Sequence, residues 1–237
     1  PQFSPDGRII VFEKSEGGYL LSDRWSETSG VYTVPASGGA MSKVADDGSA
    51  PHFGVSNDRV FLNRSGDGAQ KLVSVTLDGF DERTHASGDM AVDFMVSPKG
   101  DAVAFRENYA AYVMPMTPGP QDISGGKGAS AVPVVKASEG GATYLSWSAG
   151  GGQLNWSLGP DLYSAKLADM IPSEPKAEAK EGEEEALGYE PPGEGVSLSS
   201  RVETDKPSGR VAFAGARIVT MAKEDGGVIE DGVIIVN

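Results

Sequence analysis

The chain contains no cysteine, and only two of its 237 residues are histidine. Without cysteine, disulfide bonds, thiolate metal sites and a cysteine nucleophile are all excluded. The two histidines, His52 and His85, lie 33 positions apart, and neither has a carboxylate at the spacing of a metal site. We therefore predict no catalytic, cofactor-binding or metal-binding residue within this sequence.

Basic residues are scarce, with 20 Lys and Arg against 34 Asp and Glu, which gives a formal net charge of −14. Neutralising nucleic-acid phosphates requires clustered Lys and Arg, and an anionic protein is repelled by DNA and by anionic lipids. Apolar runs are also short, as at residues 9–12 and 233–236, whereas a membrane-spanning helix needs about 20 residues. We expect neither a nucleic-acid partner nor a membrane span.

Glycine is abundant, with 32 Gly beside 15 Pro, a composition typical of many short strands joined by turns. One phrase recurs four times, in which an apolar residue precedes a polar turn and then alternating apolar residues. The copies begin 50, 43 and 51 positions apart and occupy residues 3–12, 53–61, 96–105 and 147–156. Because such a pattern turns one strand back into the next, each copy predicts a β-hairpin.

A second phrase follows each hairpin and predicts a third strand, at residues 30–39, 70–79, 110–119 and 161–167. Short fourth strands are predicted at residues 41–44 and 82–85. Three or four strands repeated about every 45 residues indicate the blades of a β-propeller, in which radial repetition protects the sheet edges. A β-sandwich is the alternative all-β fold, although it requires no fixed period.

The first copy, Phe3-Ser-Pro-Asp-Gly7, resembles the propeller repeats of the TolB and tricorn-protease class. The resemblance extends over about residues 1–170 and is weaker in the second and fourth copies, where the Pro-Asp-Gly turn is replaced. It implies an all-β fold with about four propeller blades in residues 1–205. Propellers of this class usually close with six or seven blades, and Pro1 falls inside a copy, so we expect a partial propeller without its native N-terminus. Four blades could also form a complete small ring.

The repeat pattern stops in an acidic segment, where residues 173–190 contain seven Glu and two Lys. Such a run forms a solvated loop because its charges repel and it offers little apolar surface to bury. We predict a loop insertion at residues 171–195, with a partner-binding acidic tail as the alternative. Residues 196–203 then resume alternation and predict the last strand of the fourth blade.

Four side chains outside the turns have predicted positions. Trp147 and Trp156 occupy anchor positions of the fourth copy and should pack between blades. Trp25 lies in a polar stretch and is predicted to form a contact surface in a loop. His52 follows a proline where a strand begins, so we expect it at the surface or the rim.

Residues 206–237 differ from the repeats. Apolar strand patterns are interrupted at Asp225-Gly226 and Asp231-Gly232, which predict two tight turns with a short strand between them. The phrases at residues 215–219 and 228–236 resemble the opening of amidohydrolase-superfamily enzymes of the imidazolonepropionase-like and prolidase-like branch. That resemblance implies that this segment supplies the first strands of a small β-sandwich.

Two hypotheses of function follow. The amidohydrolase resemblance implies a barrel encoded after residue 237. In it a divalent metal, with zinc as the first candidate, activates water to attack amide or peptide bonds. This propeller would then be a non-catalytic portion that gates the barrel and its small amide or peptide substrate. The alternative is a TolB-like envelope propeller that binds a protein or peptide. We also expect a periplasmic or secreted location, and the sequence allows an oligomer.

Overall fold

The computed structural model describes residues 1–15, 28–66, 68–123, 132–171, 189–205, 208–222 and 226–236. Its described residues divide into two compact units, Pro1–Ser199 and Ser200–Asn237. The first unit contains four β-sheets that form the blades of a propeller, which confirms the predicted all-β fold. Within the described ranges, no helical segment has the length and apolar character that crossing a membrane requires.

The first two blades are antiparallel sheets whose strands follow the order of the sequence. The first blade contains β1 (Gln2–Phe3), β2 (Ile9–Lys14), β3 (Gly30–Pro35) and β4 (Ser42–Ala45). The second contains β5 (Ser49–Phe53), β6 (Arg59–Gly66), β7 (Ala69–Thr76) and β8 (Arg83–Gly88). The predicted hairpins and the predicted third and fourth strands of both blades are confirmed.

The third and fourth blades repeat this plan. The third contains β9 (Ala91–Val96), β10 (Ala102–Glu107), β11 (Ala110–Pro115) and β13 (Val135–Lys136), while β12 (Gln121–Asp122) leaves it to pair in parallel with β8. The fourth contains β14 (Thr143–Trp147), β15 (Gln153–Leu158), β16 (Asp161–Lys166) and β17 (Val196–Ser197), with the single-turn helix α1 (Leu167–Met170) after β16. The last strand starts where predicted but ends at Ser197 rather than at residue 203.

The polar phrase that begins each repeat forms the same tight turn in three blades. In the first blade, Gly7 donates its backbone N–H to the Ser4 carbonyl at 2.8 Å, and Gly7 has φ +73°. Gly100 and Gly151 repeat this bond and a positive φ in the third and fourth blades. Glycine adopts this left-handed conformation without a steric penalty, which explains its recurrence.

Three buried apolar clusters hold consecutive blades together. Val11 and Val31 of the first blade pack against Val60 and Leu62 of the second. Equivalent clusters lie between the second and third blades and between the third and fourth. The second and third blades therefore bury one face against the preceding blade and the other against the following one, which is why their strands are apolar on both faces.

The first strand of each blade is its innermost strand. In the last three blades, where it is β5, β9 or β14, this strand has a β-bulge at one repeat position. The ladder shifts register at residues 49–52, 92–95 and 143–146. Ala50, Asp93 and Tyr144 occupy the bulges with φ between +48° and +56°. These residues are separated by the same 43 and 51 positions as the repeats. A bulge redirects the chain locally, so the same redirection recurs in each blade.

The second unit contains one antiparallel hairpin, β18 (Val211–Val219) and β19 (Val228–Val236). The turn expected at Asp231-Gly232 is wrong, because both residues lie inside β19. Gly232 pairs with Ala216 beside a register shift, and Asp231 has φ +50°. An Asp-Gly pair suits a bulge as well as a turn, since both need positive φ. The predicted β-sandwich is not tested by this two-stranded sheet.

Candidate functional site

The inner strands of the four blades surround a pocket of about 520 Å³. Each blade contributes to the wall: Glu13 comes from the first, Pro51 and His52 from the second, Met95 from the third and Trp147 from the fourth. The pocket therefore depends on how the blades are arranged around one another. We take it as the candidate site.

Hydrogen bonds between blades fix this wall at equivalent repeat positions. The Phe53 N–H donates to Gln2 Oε1 at 2.6 Å, which joins the first blade to the second. The Val96 N–H donates to His52 Nε2 at 2.9 Å, which joins the second blade to the third. Gln2 and His52 are separated by one repeat of 50 residues. In both the first and the second blade, the side chain at this repeat position thus holds the inner strand of the next blade.

His52 is buried, so the expected surface or rim position is wrong. Its Nε2 accepts the Val96 N–H, and its Nδ1 lies 2.8 Å from the Ala50 carbonyl oxygen, so Nδ1 carries the proton and donates it. Burial lowers the pKa of His52 to about 4. The ring is therefore neutral near pH 7, and both nitrogens are used within the protein rather than free to bind a metal.

His85 also lies within the second blade and is half-buried. Its Nε2 lies 2.7 Å from the Ser74 hydroxyl, and its ring lies against Phe61. Burial, together with the positive charges of Arg59 and Arg83, lowers the pKa of His85. Among the residues that the structure describes, no group of three or more His, Asp or Glu side chains could hold a metal.

Trp147 and Trp156 pack between the third and fourth blades, as predicted. Trp156 is buried in the cluster that contains Ala104 and Val113 of the third blade. Trp147 is half-buried and donates its indole N–H to the Met95 carbonyl at 3.1 Å. Trp25 and most of the acidic segment lie outside the described residues, so those two predictions have no structural counterpart.

Glu13 lines the pocket at a repeat position that elsewhere clamps the next blade. Its equivalent in the second blade, Asn63, accepts the Phe94 N–H at 2.7 Å and donates to the Phe94 carbonyl at 2.9 Å. The residue equivalent to Phe94 in the preceding repeat is Pro51, which has no N–H to donate. In the described part of the chain, the Glu13 carboxylate forms no ion pair or hydrogen bond, and it is exposed.

Ser146 is the fourth member of the series that begins with Gln2 and His52. It lines the pocket and is exposed. Its hydroxyl has no hydrogen-bond partner among the described residues. Because a hydroxyl both donates and accepts, Ser146 adds to the wall a second polar group without a partner among the described residues. Sequence reasoning missed both residues, although aligning the four repeats would have placed Glu13 with Asn63, and Ser146 with Gln2 and His52.

The comparisons with known proteins support the propeller. No family model and no curated protein matches the chain. Among solved structures, it is similar to the crystal structure of TolB from Acinetobacter baumannii, with a TM-score of 0.50 and 15% identity over 69% of this chain. The match covers 39% of the TolB chain. A likeness at this identity shows the fold alone, and it confirms the TolB-like propeller. The amidohydrolase resemblance gains no support from it and stays a prediction.

Proposed function

We propose that this propeller is a binding module that takes a protein or peptide segment into the candidate pocket, which we call the axial pocket because residues of all four blades line it. The observation that carries the proposal is the pocket itself, about 520 Å³ in volume with a wall contributed by all four blades. Ligand pockets commonly measure about 300–1,000 Å³. Hydrogen bonds between blades hold this wall in place before any ligand arrives, which lowers the entropic cost of binding.

A random peptide library tests this function directly. Ser146→Arg would place a long side chain in the pocket, whereas Ser37→Arg makes the same change in an exposed turn away from it. Peptides selected on the parent chain should bind the Ser37→Arg variant with unchanged Kd and the Ser146→Arg variant at least about tenfold more weakly. Equal binding to both variants, or no selection at all, would refute the proposal.

A second candidate is the amidohydrolase hypothesis, which one observation favours. The C-terminal hairpin exposes several large apolar side chains, among them Phe213, Ile229, Ile234 and Ile235. An isolated two-stranded hairpin is marginal in water, so strands of an amidohydrolase-type sandwich are suitable cover. The propeller would then gate a metal-bearing barrel, with zinc as the first candidate, that cleaves small amides or peptides.

Protein isolated from its own cells with antibodies against this chain tests that candidate. Stoichiometric zinc and hydrolysis of dipeptides or acyl amides are the expected results. Isolated material with neither metal nor activity would exclude it, whatever the outcome of the peptide selection.

We also propose a periplasmic or secreted location, which the resemblance to envelope propellers implies. Cell fractionation with the same antibodies should find the protein outside the inner membrane. Recovery with cytoplasmic markers would contradict this proposal.

A further inference from the structure

We infer that the axial pocket selects a peptide through a positively charged side chain, Lys or Arg, which pairs with Glu13. This inference rests on the proposed peptide-binding function and specifies the ligand class. It is carried by the Glu13 carboxylate, which pairs with no described residue, together with the apolar and aromatic wall of the pocket.

The Glu13 carboxylate lacks a partner among the described residues for a structural reason. At the equivalent position of the second blade, Asn63 uses both polar atoms on the backbone of Phe94. In the preceding repeat, the position of Phe94 is occupied by Pro51. Its backbone nitrogen carries no hydrogen, so it cannot donate a hydrogen bond to Glu13. A position that elsewhere holds the next blade thus presents an acceptor-only, negatively charged group to the pocket.

The rest of the wall suits the stem of a basic side chain. Pro51, Met95, Pro98 and Trp147 give the pocket an apolar surface. Lys and Arg bury their methylene groups along such surfaces while the charged head reaches a polar group. The Trp147 ring can attract a cation through its π-face. The Ser146 hydroxyl, which has no partner within the described ranges, supplies a second acceptor for the N–H groups of the head.

The electrostatics favour a cation and disfavour an anion. Among the described residues that line the pocket, none is Lys or Arg and Glu13 is the one carboxylate, so the charged side chain of the wall is negative. The chain carries a formal net charge of −14, and a field of that sign raises the local concentration of cationic ligands. An acidic peptide would meet repulsion both at long range and at Glu13.

Two pools of blocked pentapeptides isolate the charge. Both have random outer positions, and the central residue is lysine in one pool and norleucine in the other, which keeps the stem and removes the charge. Binding is followed by tryptophan fluorescence on the parent chain, on Glu13→Gln and on Glu194→Gln. Glu194 is exposed and does not line the pocket, so it is the matched control.

The parent chain and Glu194→Gln should bind the lysine pool roughly tenfold more tightly than the norleucine pool, the usual size of a charge-assisted hydrogen bond. Glu13→Gln should lose that preference and keep its affinity for the norleucine pool. Raising the salt concentration should weaken the binding of the lysine pool and leave the binding of the norleucine pool unchanged.

The contrary outcomes separate this inference from the proposed function. Equal binding of both pools to the parent chain would overturn the inference and leave the proposed function standing. A lysine preference that survives in Glu13→Gln would also overturn it. If neither pool binds the parent chain, the proposed function fails and the inference fails with it. Circular dichroism of the three proteins verifies that they are equally folded.

Discussion

His52 joins two blades through a single neutral imidazole ring. Its Nε2 accepts a backbone N–H from the third blade while its Nδ1–H donates to Ala50 in its own blade. At the equivalent position of the first blade, the amide oxygen of Gln2 does the first of these tasks. The first two blades therefore place an acceptor at this position, Gln2 in one and His52 in the other, whereas the third blade has Met95 there.

Replacing that acceptor should destabilise the propeller. His52→Leu leaves the buried Val96 N–H without its partner, and an unsatisfied buried donor costs about 1–3 kcal/mol. His52→Gln should cost less, because its amide oxygen can take the role that Gln2 has toward Phe53. Urea unfolding of the three proteins measures the difference. Equal losses in both variants would show that the acceptor is unimportant.

The stability of the chain should also depend on pH through His52. Its pKa is about 4 in the folded state and 6.5 when unfolded, so the unfolded chain binds the proton more readily. The stabilisation is complete above pH 6.5 and is lost as the pH falls towards 4, by about 3 kcal/mol in all. Carboxylates titrate in both proteins, so the test is the difference between the parent chain and His52→Gln. Parallel curves between pH 7 and 4 would contradict this assignment.

At the scale of elements, the turns decide how closely two blades approach. Gly79 lies in the turn that follows β7 of the second blade with φ +83°, and a Cβ there would lie 2.5 Å from the Val44 carbonyl oxygen of the first blade. Gly38 occupies the matching turn of the first blade with φ +87° and open space around it. Gly79 is thus required by its positive φ and by the closeness of Val44, whereas Gly38 is required by its positive φ alone.

This pair of glycines gives a controlled prediction. Gly38→Ala should cost about 1–2 kcal/mol, the penalty for a left-handed residue with a side chain. Gly79→Ala should cost roughly 1–3 kcal/mol more, because the blades must move apart to relieve the clash. Denaturant unfolding measures both values. A Gly79→Ala variant no less stable than Gly38→Ala would mean that the two blades are not held this closely.

At the scale of the whole molecule, the fourth blade differs from the others on its outer face. In the first three blades, the second-strand residue facing the next blade is Val11, Phe61 or Ala104, and all three pack in the clusters between blades. The equivalent residue of the fourth blade is Asn155, which pairs with Ser164. Asn155 is half-buried and Ser164 is exposed, so this face is suited to contact with water rather than with an apolar sheet.

Making that face apolar should cause self-association. Asn155→Val with Ser164→Val gives the fourth blade the pattern of Ala104 and Val113, which is buried against a neighbouring blade. The variant should form dimers or larger species at micromolar concentration, because an apolar sheet face seeks a partner. Light scattering gives the molar mass, with valines at the exposed Ser37 and Asp89 as the control. A monodisperse variant with the mass of the parent chain would contradict the prediction.

The sequence by itself determined the blades, because alternating apolar residues and Gly-containing turns act over a few neighbouring positions. The period of the copies determined that the sheets repeat, and the bulky anchors Trp147 and Trp156 marked where blades meet. Asp231-Gly232 was misassigned because turn and bulge need the same local conformation, and only pairing across β18 and β19 separates them. The tertiary structure alone decided that His52 is buried and that the Glu13 carboxylate has no partner in the described part of the chain. Both depend on which backbone group of the next blade lies opposite, and residues about 40 positions away in sequence supply that group.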